Sequence, residues 1–148
     1  MGKATYAYSI KTTRVKEKDF PYNGQKITCT NDLINFARAL QDSDIEKFLV
    51  IYLNAQNSVI GIQVMNGTVN QAVVYHREVV RHALLFGAVA LILIHNHPSG
   101  KVSPSDQDLK MTEKIVAATA LLDIHVHDHI IIGETGFYSF LEEGVMPK

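Results

Sequence analysis

Val89-Ala90-Leu91-Ile92-Leu93-Ile94-His95-Asn96-His97-Pro98-Ser99-Gly100-Lys101-Val102-Ser103-Pro104-Ser105-Asp106-Gln107-Asp108 is the stretch that decides the fold of this chain. Val89 to Ile94 is an unbroken apolar run, the pattern of a central strand covered on both faces. His95 and His97 leave its C-terminal end, and residues two apart on an extended chain point to the same side. Pro98 stops the strand pairing, and Pro98-Ser99-Gly100 opens a loop that returns at Pro104-Ser105. Asp108 then falls in the first turn of a new helix, where Ser105 can act as the cap and also turn its hydroxyl toward the histidines. Two imidazoles and a carboxylate suit a borderline metal such as zinc, one ion per chain. Three protein ligands leave a fourth position for water, whose pKa falls to about 7 on zinc. The same residues also admit a plain structural reading. The histidines can bond backbone carbonyls at a strand end, and Asp108 can be a first-turn acid favoured by the helix dipole.

The rest of the chain bounds this idea. At 148 residues it is read as one domain with room for a sizeable core. The 47% hydrophobic and 20% charged fractions fit a globular protein. A net charge of −1 supplies no global field for nucleic acid or an anionic membrane. Cys29 is the single cysteine, which excludes an internal disulfide and a multi-cysteine zinc site. The start, Met1 to Tyr6, has no apolar signal core, and the apolar run at 88–94 is too short to span a bilayer. A cytoplasmic location is the expectation. The oligomeric state is left open.

Working outward, residues 4–17 read as an extended segment and Phe20 to Gly24 as a turn. Thr30 or Asn31 is placed to cap a helix bearing Leu33, Ile34, Phe36, Ala37 and Leu40. Phe48 to Leu53 is a buried-type strand, Asn54 to Asn57 a turn, and Ser58 to Met65 a second strand ended by Asn66-Gly67. Val69 to Tyr75 reads as a third strand. Arg77 to Phe86 is a predicted helix with Val79, Val80, Ala83 and Leu84 at helical spacing, closed by Gly87. Ser105 to Leu122 is a predicted long helix carrying Leu109, Ile115, Val116 and Ala120. Asp128 to Ile132 lies in the last main strand, with Phe137 to Phe140 as a short one. Interleaved strands and helices predict an α/β fold, a mixed sheet flanked by helices.

His95, His97, Ser105 and Asp108 match H-x-H-x7-S-x2-D, and on that motif the chain resembles the JAMM metalloproteases of the JAB/MPN class. Arg77-Glu78-Val79, Ala90 to Gly100 and Asp128 to Gly133 make it similar, more narrowly, to the RadC family over most of residues 45–142. The resemblance implies a JAB1/MPN-like (cytidine-deaminase-like) fold in residues 45–148, with residues 1–44 as an N-terminal extended segment and helix packed on it. It implies His95, His97 and Asp108 as zinc ligands, Ser105 as the group that holds the oxyanion or water, and a peptide or protein as substrate. A nucleobase deaminase is disfavoured because its zinc uses paired cysteines. The adjacent letters His95-Asn96-His97 are not the HNH nuclease signature, which names dispersed residues.

The resemblance is not complete. JAMM peptidases hold a glutamate on an earlier strand as general acid/base, and Gln63 is the residue aligned with that position. A glutamine can orient water but cannot take its proton. Glu78, in a helix start, is the nearest acidic alternative, while Glu17 and Glu46 read as surface acids. This leaves two functional classes, a zinc hydrolase and a catalytically weak metal-binding or interaction module. A third, a nucleic-acid-processing factor, rests on the family name alone. Longer RadC-like proteins carry a helix-hairpin-helix segment, for which residues 1–44 are too short, and Lys11, Arg14, Lys16 and Lys18 form only a minor basic patch. His125, His127 and His129 alternate and are expected on one strand face, with Asp128 and His129 as candidates to orient a ligand imidazole. His76 and His82 read as incidental helix residues, and Cys29 as a small core or loop residue.

Overall fold

The apolar runs become strands that pair around one buried centre. In the computed structural model, which describes residues 25–41, 43–67, 74 and 76–148, the elements follow in order. They are α1 (Thr30–Gln41), β1 (Lys47–Leu53), β2 (Val59–Asn66), α2 (His76–Phe86), β3 (Ala90–Asn96), α3 (Asp106–Ala120), β4 (His125–Ile132) and β5 (Phe137–Ser139). The five strands form one mixed sheet in the order β2-β1-β3-β4-β5. Only β3 and β4 run parallel, and α3 supplies the crossover that parallel neighbours require. This is the α/β architecture that the JAB/MPN resemblance implies.

The sheet lies between two helical layers because both faces of β1 and β3 are apolar. On one face α1 sets Leu33, Phe36, Ala37 and Leu40 against Leu49, Ile51, Ile92, Ile94 and Ile130. On the other, Val79 and Ala83 of α2 and Ile115 of α3 close over Phe48, Val50, Tyr52, Leu91 and Leu93. All seven residues of β3 are buried. Among the described residues, no helix is long and apolar enough to cross a membrane.

Several expectations change in detail. The helix cap expected at Thr30 or Asn31 falls earlier, since α1 already includes Thr30. Asp32 reaches back from the first turn to accept the N–H groups of Thr28 and Cys29, at 2.8 and 3.2 Å. Cys29 is exposed just ahead of that helix. In α2 only Val79 and Ala83 are buried, and Leu84 is exposed. His82 is half-buried and stacks on Phe86. In α3 the inward stripe is Asp108, Thr112, Ile115 and Thr119, so Leu109, Val116 and Ala120 lie beside it. The buried threonines satisfy their hydroxyls on the helix itself, Thr112 on the Asp108 carbonyl and Thr119 on that of Ile115.

The three alternating histidines do not share a face. Leu91 pairs with Val126 but Ile92 with Asp128, so His127 is an extra, bulged residue in β4. The bulge reverses the alternation. His125 lies opposite Ala90, on the α1 face, and His129 opposite Leu93, on the α3 face. The readings at 4–17 and 20–24, with Glu17 and the basic cluster Lys11, Arg14, Lys16 and Lys18, fall outside the described residues. So does the strand expected at 69–75, apart from Val74, which packs against the α2-side core.

At the end of β4 the chain meets the loop that follows β3. A Cβ on Gly133 would lie 2.5 Å from the Gly100 carbonyl oxygen and 2.7 Å from Val102. Gly133→Ala is therefore expected to destabilise the domain by about 1–3 kcal/mol, the usual cost of overpacking. Urea denaturation checks this, and an unchanged midpoint would show that the loop yields freely.

Candidate metal centre

His95 is the sixth residue of β3 and is wholly buried, on the face that α3 covers. His97 follows the strand end, where its N–H donates to the Ile132 carbonyl at 3.0 Å. The two Nε2 atoms come within 2.9 Å of each other. Asp108 meets both, with Oδ1 3.3 Å from His95 Nε2 and Oδ2 3.1 Å from His97 Nε2. Among the described residues these three form the group whose ligand atoms converge closely enough to hold a metal ion.

Local sequence explains the aim of the carboxylate. Ser105 is the N-cap of α3, and its Oγ accepts the Asp108 N–H at 3.1 Å while Asp108 Oδ2 accepts the Ser105 N–H at 2.8 Å. This reciprocal capping box holds the helix start and also fixes the Asp108 side chain toward the histidines. The helix dipole adds to the stabilisation of its negative charge.

The donor set fits a cation. His97 Nδ1 lies 2.7 Å from the Lys101 carbonyl, which can only accept, so Nδ1 carries the ring hydrogen and a neutral ring turns a lone pair inward at Nε2. His95 Nδ1 is engaged by His129 at 2.7 Å, which leaves Nε2 as its inward atom. Nitrogen and carboxylate acceptors this close need a proton or a metal ion between them. Electrostatics agree. The Asp108 carboxylate, by hydrogen bonding, holds His97 above the usual histidine range; burial opposes this, and the Lys101 carbonyl and the charge of Glu46 add to it. Burial by itself would raise the Asp108 carboxyl, but when the metal-free imidazoles are protonated, hydrogen bonds from His95 and His97, the His95 charge and the Ser105 N–H together carry it well below the ordinary range.

Other expected residues fall in different places. Gln63 pairs with Val50, which pairs with Leu93, whereas His95 shares its row with Phe48 and Met65. Gln63 is thus two rows along the sheet from His95, and its Oε1 accepts the Tyr52 hydroxyl at 2.7 Å. Glu78 is paired with Arg81 in the first turns of α2. His129 does touch a ligand, through His95 Nδ1, and burial drives it well below the usual histidine range. Asp128 instead accepts from Ser139 Oγ and from the N–H groups of Leu141 and His129, at 2.6, 2.9 and 2.7 Å. It secures the return through β5 and makes none of its hydrogen bonds to the metal group.

One acidic residue read as a surface group lies beside the centre. The antiparallel register sets Phe48 opposite His95, and Glu46 lies two residues ahead of Phe48, just outside the paired strand. Glu46 is half-buried, and its charge reaches His97. Its backbone is clamped. Asn96 Oδ1 accepts the Lys47 N–H at 2.6 Å, Asn96 Nδ2 donates to the Ile45 carbonyl at 3.0 Å, and the Glu46 carbonyl accepts the Gly67 N–H at 2.8 Å. The signal in the sequence was its place just ahead of the Phe48 to Leu53 run, but only strand register reveals its neighbour.

Comparison with known proteins adds a family to this geometry. The model of the RadC-like JAB domain matches residues 27–145. The chain belongs to the RadC-like JAB domain family. A UPF0758 protein of Photobacterium profundum is 49% identical to it over 109 residues, which are 73% of this chain and 49% of that relative. The UPF0758 protein YeeS of Escherichia coli is 47% identical over 102 residues, 68% of this chain and 69% of the relative. A UPF0758 protein of Histophilus somni is 48% identical over 106 residues, 71% of this chain and 48% of the relative. The matched part of this chain thus spans about half the length of the first and third and about two thirds of the second.

Two outcomes are expected of this RadC-like domain. His97→Ala should lose bound divalent metal. Gln63→Ala should keep it and lose about 1–3 kcal/mol of stability, because among the described residues Tyr52 OH is left with only the Val79 carbonyl at 3.3 Å. Elemental analysis and denaturation together check the pair; metal loss in the Gln63 variant would return that residue to the centre. Metal binding needs neutral imidazoles. Because His97 titrates above its ordinary 6.5, apparent metal affinity should be full at higher pH. It should begin to fall before pH 6.5 is reached from above, and calorimetric titration across that range reads the onset.

Proposed function

We propose that this domain is a zinc-dependent hydrolase of the JAMM type that cleaves a peptide or isopeptide amide, with His95, His97 and Asp108 as the metal ligands. The observation that carries the reading is the half-buried Glu46 carboxylate, whose charge acts on His97, one of three convergent ligand residues, and whose backbone Asn96 holds on both sides. A metal held there would supply a Lewis acid for the scissile carbonyl and a water of lowered pKa.

The chain's own residues supply the rest. Glu46 accepts a proton from the attacking water and returns it to the leaving amine, the role that the resemblance assigned to the position of Gln63, whose Oε1 here accepts the Tyr52 hydroxyl. Ser105 Oγ already accepts the Asp108 N–H, so its own hydrogen is free to donate to the carbonyl oxygen as negative charge develops. Asn96 holds the backbone on both sides of Glu46 and limits the drift of that carboxylate. The weak-module reading rests on a glutamine at the proton-handling position, whereas a half-buried Glu46 whose charge acts on His97 supports the enzyme. The reading takes a peptide or protein as substrate and the cytoplasm as the location, in keeping with the single, unpaired cysteine.

Glu46→Gln is the test. Hydrolysis of a panel of peptide and isopeptide substrates should fall by about 10²–10⁴-fold with zinc content unchanged. Full activity in that variant would overturn the role of Glu46, and a native protein that holds no zinc would overturn the reading itself.

A further inference from the structure

Behind the metal ligands lies a second, fully buried row of polar side chains, Thr112 and His129. The hydrogens along this row are set from its far end. Thr112 Oγ1 donates to the Asp108 carbonyl at 2.7 Å. A hydroxyl has a single hydrogen, so toward His129 Nδ1, also 2.7 Å away, Thr112 can only accept. His129 Nδ1 therefore carries the hydrogen, and the Nε2 of its neutral ring keeps a lone pair. That Nε2 lies 2.7 Å from His95 Nδ1, which must then be the donor. With its hydrogen on Nδ1, a neutral His95 presents a lone pair at Nε2, the atom that faces His97 and Asp108.

We propose that Thr112 and His129 are positioning residues that fix the tautomer of His95 and so make its Nε2 a metal ligand. The inference rests on the reading of the His95–His97–Asp108 group as a metal site. Packing keeps the relay in place. The His129 ring stacks on Phe140 with centroids 4.5 Å apart, and Phe48 lies against it edge-on at 5.7 Å and against His95 at 5.9 Å. With His129 and Thr112 both wholly buried, water cannot replace either partner. The relay also ties the two ligand-bearing elements together, since Thr112 bonds the backbone of Asp108 and, through His129, the ring of His95. A carboxylate or carbonyl usually fills this role behind a metal-bound histidine. Here a neutral imidazole fills it, and Thr112 decides which of its nitrogens accepts.

Replacing Thr112 by valine keeps the shape and removes the acceptor. His129 is then free to carry its hydrogen on Nε2, which faces His95 Nδ1 with a donor and pushes the His95 hydrogen onto the ligand nitrogen. Zinc affinity measured by chelator competition should fall about 10–100-fold in Thr112→Val and recover in Thr112→Ser, which retains the hydroxyl. Ring nitrogen chemical shifts of the metal-free native protein give a readout that needs no variant. At a pH of about 8, above the histidine range, they should show hydrogen on Nδ1 of both His95 and His129. The reversed pattern in either ring overturns the relay, as does equal zinc affinity of the native and Thr112→Val proteins. Failure of the native protein to bind zinc overturns the metal reading and with it the purpose of the relay.

Discussion

The domain depends on a strand buried on both faces and paired along both edges. β3 lies between β1 and β4, with α1 on one side and α2 and α3 on the other. Inside such a strand, polar side chains have no partner and no water, so aliphatic residues fill it as far as Ile94. Polar chemistry can emerge only where the strand ends, and there it does so at once, with His95, Asn96 and His97. Each of these has a defined partner, because an unpaired buried polar group would cost about 1–3 kcal/mol. His95 has His129, Asn96 has the backbone on both sides of Glu46, and His97 has the Lys101 carbonyl.

The same bonds that make this burial tolerable also shape the site. The capping box of α3 satisfies helix N–H groups and turns Asp108 toward the imidazoles. Asn96 satisfies the entry to β1 and holds the backbone on both sides of Glu46. Gly133 lets the end of β4 approach the Gly100 carbonyl, so that the loop carrying Lys101 packs onto the sheet. Stability and preorganisation therefore rest on shared atoms, and the centre is more rigid than a set of ligands on free loops would be.

Much of this was legible in the chain itself. The apolar run at 89–94 set the central strand. The spacing of His95 and His97, the Pro98 stop and the Ser105–Asp108 cap are local features, and each reads correctly because it depends on backbone geometry within a few residues. The inner face of α3 was not legible, since its stripe is Asp108, Thr112, Ile115 and Thr119 and the periodicity of apolar residues points beside it. The bulge at His127 was hidden for a related reason. An extra residue in one strand is defined only against its partner, and it reverses the face of everything before it.

By themselves, the residues determined the α/β class, the ligand types and their convergence at the end of one strand, because these follow from hydrophobic pattern and short-range chain geometry. Tertiary structure decided which other groups join them. Glu46 and His129 lie 51 and 32 residues from His97, and only the pairing of β1 and β4 on β3 brings the Glu46 charge to His97 and the His129 ring to His95. That register also sets Gln63 two rows from His95. Strand pairing has a side-chain period of two, so a shift of one residue changes which side chains meet. Such a choice is settled by packing across the whole sheet and leaves no local mark in the chain.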